Sequence, residues 1–371
     1  MTRRRLLVTG PARSGTTLLA RLLDGHPGLP VASQPFPLLY VGAKADFLAS
    51  CGHAGERFPL GDLFCEDRYR PEDLDRFLDR YHPGERRLDE IWSSMEGYSG
   101  RQTEVPLPED AAGARSFADL LERLHDALAR SEAEVAGSKE VLAEEYLPYL
   151  VVRGFAGVLC VRDPRDVVAS SVSSGGATWV GRPRPLLFLL RNWRRAATVA
   201  AALDGAPGFA VVRFEDLVSD TGSTLERLAG FLGAAPFEAG AAERAVAGWR
   251  GNSSFGELSG VSDAAVGRHR SVLDEATIEY IETVCGPEMD WLGYGRGTGG
   301  DVGALAGYAE PWPVRTDVDA DLSSDPAQLA LEAERLRLLA STVEPDEAEQ
   351  RRFFRFPAAY RRLTATAEVH R

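Results

Sequence analysis

Between Arg5 and Thr9 the chain reads RLLVT, an apolar run of strand length. After a glycine-bounded loop the period changes: in TTLLARLL (16–23), Leu18, Leu19, Leu22 and Leu23 fall on one helical face, and Gly25 and Pro27 stop the helix. This predicts a strand–loop–helix unit. From Phe36 to about Ser131 the pattern is mostly helical, through FPLLYVGAKADFLAS, PEDLDRFLDRY with Pro71 at a helix start, and SFADLLERLHDALARSE. We read this region as a helical insertion. Strand signals return at VAGSK (135–139), AGVLCV (156–161) and FAVVRF (209–214), interleaved with helical patterns that include TLERLAGFLG and DEATIEYIETVCG (274–286). Strands alternating with helices predict a parallel sheet covered on both faces. The stretch GRGTGG after Tyr294 reads as a flexible break, and beyond Pro313 two further helical patterns lead to Arg371. The expected division is therefore a main domain, 1–298, and a C-terminal helical extension, 299–371, that hangs on as an appendage. No internal repeat is visible.

Composition narrows the function classes. A chain of 371 residues that is 44% hydrophobic is long enough to bury a large core. Its formal charge of -13 argues against a general nucleic-acid binder, so any basic site is expected to be a small pocket. Cys51, Cys65, Cys160 and Cys285 lack metal-ligand spacing, and Cys160 lies in the apolar run VLCV, as a buried reduced thiol would. Reduced cysteines point to the cytoplasm. Arg3, Arg4 and Arg5 resemble the start of an export signal, but the apolar stretch after them ends at Thr9-Gly10, too short for export or for a membrane span.

Chemistry concentrates at two places. The loop GPARSG offers backbone N–H groups, and the helix after it points its positive end at whatever they surround, which favours an anion. Arg13 adds a forked cation; Ser14, Thr16 and Thr17 add hydroxyls; Gly15 permits a tight turn. Thr16 stands where a nucleotide hydrolase carries its lysine. The second place is VLCVRDPRDVVASSVSSGG, which puts Arg162 at the end of an apolar strand, Pro164 at a first helical position and Ser170 eight residues beyond the arginine. Ligands of open α/β sheets bind at that edge, so Arg162 and Ser170 suit a second phosphate. Asp163, Arg165 and Asp166 read as solvated capping charges.

These residues resemble a known family, the sulfotransferases that use 3'-phosphoadenosine 5'-phosphosulfate (PAPS), and especially their bacterial branch. RSGTTLLARLLDGHP is similar to the family's 5'-phosphosulfate loop and VRDPRDVVASSVSS to its 3'-phosphate motif. VVRFEDLV (211–218) resembles its R-Y-E-D-L segment, and VGRHRSVLDEATIEYIETVCGPEMDWLGY (266–294) its C-terminal G-R-W-R stretch and terminal helix. Together they cover roughly residues 4–295 in the family's order.

The resemblance implies an α/β fold with a P-loop-type parallel sheet. It also implies transfer of a sulfuryl group from PAPS to a hydroxyl, less often an amine, of a small-molecule or carbohydrate acceptor, with adenosine 3',5'-bisphosphate as the product and no metal. It assigns the 5' end of the nucleotide to Arg13, Ser14, Gly15, Thr16 and Thr17, the 3'-phosphate to Arg162 and Ser170, and further nucleotide contacts to Gly267, Arg268 and Arg270. Phe214 and Trp193 border the adenine or belong to the core. His26 ends the first helix, as the matching His-Pro does in relatives.

The general base is where this chain departs from the family. VASQPF offers Ser33 and Gln34 where some branches carry a glutamate, and Ser138 precedes Lys139 where others do. Glu140 is the first candidate, with an exposed helix cap as its alternative reading. His269 is the second, standing where relatives often have tryptophan. Lys139 can reach the sulfate, although a lone lysine is usually a surface charge. The competing functions are a P-loop kinase-like enzyme and a non-catalytic nucleotide-binding protein. The acceptor is not legible, and a homodimer is compatible with the sequence.

Overall fold

The computed structural model describes residues 3–53, 69–93, 105–130, 132–173, 184–249, 260–297, 302–312 and 325–369. Five parallel strands form its centre: β1 (Arg4–Thr9), β2 (Val31–Ser33), β3 (Val135–Lys139), β4 (Ala156–Val161) and β5 (Phe209–Arg213), in the order β2-β3-β1-β4-β5. β1 is central, with Val8 beside Lys139 on one side and Val158 on the other. The carboxyl ends of β1, β3 and β4 therefore open onto one edge. Alternation along β1 sends Leu7 to one face and Leu6 and Val8 to the other, so both faces are apolar and both are covered.

On one face lie α1 (Thr16–Asp24), α10 (Thr221–Leu232) and α11 (Ala241–Val246). The other face carries the helices of the expected insertion, α2 (Pro37–Ser50), α3 (Pro71–Leu78), α4 (Glu85–Ser93) and α5 (Phe117–Leu128). With them pack α6 (Leu147–Val152), α7 (Pro164–Val172), α8 (Leu186–Leu203) and α13 (Glu275–Trp291). The short helices α9 (Phe214–Ser219) and α12 (His269–Val272) sit at the sheet edge. The architecture is thus the expected P-loop-type α/β fold, with a helical insertion and a C-terminal helical extension.

The extension needs a correction. Expected as an appendage, its helices α14 (Pro326–Ala340), α15 (Glu347–Phe353) and α16 (Pro357–Val369) bury Leu339, Phe353, Phe354, Ala359, Tyr360 and Leu363 in a cluster with Ala201 of α8. Glu332 of α14 is fully buried and accepts from Arg191 Nε and Arg194 Nη1 of α8, at 2.8 and 2.5 Å. Arg335 of α14 pairs with buried Glu288 of α13. The chain beyond the glycine-rich stretch rejoins the main core, with Leu305 buried in it and Leu329 and Leu336 of α14 packed against it, and its apolar stripe closes over α8. The GRGTGG stretch lies only partly within the described residues, as do the insertion and the segment that holds Cys65. Among the described residues Cys51, Cys160 and Cys285 are free thiols, and no helix is long and apolar enough to cross a membrane.

Candidate active site

β1 ends at Thr9, and the chain turns sharply through Gly10 and the loop to α1. A side chain at Gly10 would run into the Cys160 carbonyl, its Cβ only 2.1 Å away. Gly15 caps α1 in the left-handed conformation, φ 85°, and a Cβ there would meet the Phe214 ring. Ser14 N–H donates to the Pro11 carbonyl at 3.2 Å, which closes the loop. The first turn of α1 carries no acidic residue, so no carboxylate within it offsets the positive end that its N-terminal N–H groups form.

The two sequence motifs converge here. Arg13 Nε donates to Ser170 Oγ at 2.9 Å, across 157 residues of chain. Arg162 Nη1 donates to the Arg13 carbonyl at 3.3 Å, and its guanidinium lies 4.6 Å from the Phe214 ring centre. Burial lowers the pKa of both arginines, and the charge of Arg162 lowers that of Arg13 further. Arg162 Nε and Ser14 Oγ are buried without a hydrogen-bond partner among the described residues. Thr16 is buried and Thr17 half-buried at the start of α1. Trp193 is a core residue whose Nε1 donates to the Arg162 carbonyl at 2.8 Å, and His26 ends α1 as expected, its N–H donating to the Leu23 carbonyl.

Asp163, Arg165 and Asp166 are not solvated. Asp163 caps α7 by accepting from Arg165 N–H, and Arg165 also pairs with Glu282 at 2.5 Å. Asp166 is 1% exposed and accepts from Gly267 N–H at 2.7 Å, His269 N–H at 2.9 Å and His269 Nδ1 at 2.8 Å. It ties the Gly267–Arg268–His269 turn to α7, beside the loop, and leaves Arg268 and Arg270 exposed. Four residues separate Arg162 from Asp166, one helical turn; that spacing was the available signal for a shared site. Glu215 completes this edge by accepting from Asp163 N–H and from the Tyr294 hydroxyl.

The candidate bases separate. His269 is buried against Asp166 beyond β4, whereas Lys139 and Glu140 leave β3, two strands away. Neither Lys139 nor Glu140 is a surface charge: they are 0% and 1% exposed. Lys139 Nζ donates to Gln34 Oε1 at 2.9 Å, and Glu140 Oε1 accepts from Phe36 N–H at 2.7 Å, just before α2. Glu140 Oε2 is buried with no partner among the described residues. Burial pushes the Glu140 carboxyl well above its usual range and the Lys139 ammonium below its own, each partly countered by the other's charge. The Gln34 and Phe36 contacts were not foreseeable, because they pair residues about a hundred positions apart.

No family model and no curated protein sequence matches the chain. Among solved structures, the sulfotransferase domain from the Synechococcus PCC 7002 olefin synthase is 19% identical, over 76% of this chain and 94% of that one, with a TM-score of 0.43. The sulfotransferase domain from the curacin biosynthetic pathway is 16% identical over 90% and 98% of the two chains, TM-score 0.37. Retinol dehydratase, solved with androsterone and inactive cofactor PAP, is also 16% identical, over 77% and 80%, TM-score 0.37. Likeness at this level carries no functional inference, and the chemistry has to come from this chain's own residues.

Proposed function

We propose that the protein is a sulfotransferase that takes its sulfuryl group from PAPS and delivers it to a hydroxyl of a small-molecule or carbohydrate acceptor. The observation that carries this reading is the meeting of Arg13, Ser170 and Arg162 over the lysine-free loop at the N-terminus of α1. A buried and a half-buried guanidinium, Ser14 Oγ and Arg162 Nε without partners among the described residues, and a helix N-terminus with no acidic residue in its first turn suit a nucleotide with an anionic group at each of its 3' and 5' ends better than solvent.

In the transfer, the acceptor oxygen forms a bond to sulfur while the bond from sulfur to the bridging phosphate oxygen breaks, leaving adenosine 3',5'-bisphosphate. Negative charge grows on the bridging and 5'-phosphate oxygens. Arg13, Thr16, Thr17 and the loop N–H groups are the donors assigned to that charge, already oriented before it develops. Arg162 and Ser170 hold the 3'-phosphate, and the turn at Gly267, with Arg268 and Arg270, flanks it. Phe214 supports Gly15 and the Arg162 guanidinium. Glu140 takes the acceptor's proton through Oε2, and Lys139 sits beside it to bear on the sulfuryl oxygens. His269 serves as the Asp166 partner that orders the turn and is the second choice for the base.

Two measurements test the reading. Calorimetric titration without Mg²⁺ is expected to show adenosine 3',5'-bisphosphate binding at least about tenfold more tightly than 5'-AMP, the worth of one charge-assisted contact. A preference for Mg-ATP would instead support a kinase-like enzyme. An acceptor screen with PAPS, read as the mass gain of one SO3, then separates an enzyme from a non-catalytic binder. With an acceptor in hand, the raised Glu140 pKa predicts a rate that climbs with pH above the ordinary carboxylate range, as the base form accumulates. Glu140→Gln is expected to lower that rate and flatten the profile while leaving nucleotide affinity unchanged.

A further inference from the structure

The run that begins at Glu140 ends in two carboxylates for which the proposed chemistry has no use. On its way it crosses the phosphate loop: Leu142 N–H donates to the Gly10 carbonyl at 3.3 Å and Ala143 N–H to Thr9 Oγ1 at 3.2 Å. Leu142 has φ 61°, a left-handed conformation that residues other than glycine keep only where their surroundings hold them. The holding contacts lie just beyond, in the turn Glu144–Tyr146, where Glu144 and Glu145 are 0% and 4% exposed.

Cations from three regions converge on Glu145. Lys44 of α2 pairs with its Oε1, Arg195 of α8 reaches the same oxygen at 2.8 Å, and Arg355, between α15 and α16, stands 3.5 Å from Oε2. Arg195 also grips Glu144 at 2.8 Å. Arg355 is itself fixed by Tyr69, donating to the hydroxyl with its guanidinium 4.4 Å from the ring centre. Burial opposes ionisation of Glu145, but the fields of Lys44, Arg195 and Arg355 outweigh it and hold the carboxyl below its usual range. A carboxylate this deep stays ionised, and stays in place, only while its cations remain.

We infer that Arg355 is a positioning residue for the candidate active site: through Glu145, the C-terminal extension holds segment 140–146, and with it Glu140, against the phosphate loop. The part of this inference that concerns catalysis rests on the proposed role of Glu140; the mechanical part does not. It also gives the extension a task that its place after the last family-like motif does not suggest.

Hydrogen exchange followed by mass spectrometry on the full chain reads the mechanical part directly. In Arg355→Ala, peptides spanning 140–146 are expected to exchange at least about tenfold faster, while those of α5 keep their wild-type rates. Arg355→Lys should give a smaller rise at the same place. Arg362→Ala, which removes an exposed contact of α16 with Asp204, should give none. Unchanged exchange at 140–146, or an equal rise throughout the chain, overturns the inference. If Arg355→Ala does not fold, Arg355→Lys decides alone, and wild-type exchange at 140–146 in that variant overturns it too. The catalytic part predicts a turnover lowered roughly tenfold or more, since displacements of about 1 Å cost up to about 10²-fold, with adenosine 3',5'-bisphosphate affinity within about twofold of wild type. Parallel losses of turnover and affinity overturn this part. Local loosening in a wild-type background that transfers no sulfuryl group from PAPS supports the positioning role and sinks the proposed function instead.

Discussion

Two arginine-rich regions of this molecule solve opposite problems. Under the C-terminal extension, Arg191 and Arg194 of α8 meet Glu332, and Arg335 of α14 meets Glu288, so these guanidinium groups find carboxylates supplied by the fold itself. At the phosphate loop, Arg13 is pushed towards its neutral form by burial and by Arg162, while the nearest carboxylate to Arg162, Asp166 at 3.9 Å, already serves Gly267 and His269. Burying a charge is costly unless it is paired. The first region is closed as it stands and contributes cohesion. In the second, Arg13 and Arg162 meet hydroxyl and carbonyl groups and each other, and under the proposed function this is where an anion from outside adds the missing negative charge.

Substitutions can break this contrast, and the largest effect is expected in the closed region. Glu332→Ala leaves two buried arginines facing an empty place, at a cost of about 3–5 kcal/mol in unfolding free energy by denaturant titration. A loss below about 1 kcal/mol would mean that the extension is peripheral after all. Arg13→Ala is expected to act the other way round. Transfer falls by about 10²–10³, equivalent to about 2.7–4 kcal/mol, while the unfolding midpoint holds or rises because a like-charge contact is relieved. A large drop in stability with normal turnover would move Arg13 into the closed class.

Arg162→Ala is placed next. It should erase most of the preference for adenosine 3',5'-bisphosphate over 5'-AMP, a loss of about 1.5–3 kcal/mol by calorimetry, with 5'-AMP binding little changed. Equal weakening of both nucleotides would show that Arg162 supports the loop without reading the 3'-phosphate. The smallest effect belongs to Arg351→Ala on α15, whose partner Glu347 is 71% exposed. A solvent-facing pair of this kind is worth about 0.5 kcal/mol or less, and a melting curve distinguishable from wild type by more than that would reveal an unseen role for the α15 surface.

Much of the fold was legible because strand and helix announce themselves locally. VAGSK and AGVLCV occupy β3 and β4 with the expected limits, since runs of small and branched apolar residues next to a helical period admit few other readings. β2 escaped notice: three residues inside VASQPF are too short to show a period, and pairing with β3 makes them a strand. The glycine-rich loop and the Arg162-to-Ser170 interval were legible for the same local reason, each being a motif within one short stretch. Asp166 was misjudged because a carboxylate at a helix start is usually solvated, and only the return of the chain at Gly267 and His269 buries it.

The sequence by itself determined the strand–loop–helix order, the absence of a lysine at the end of the loop and the presence of Arg13 within it, because these depend on neighbours along the chain. Tertiary structure alone decided which charges are buried and who faces them. It set Arg13 against Ser170, Lys139 against Gln34, Glu140 against the Phe36 N–H and Arg355 against Glu145, pairs whose members lie at least 104 residues apart along the chain. A side chain's pKa and its role follow from burial and from partners brought by distant segments, and a local pattern carries neither.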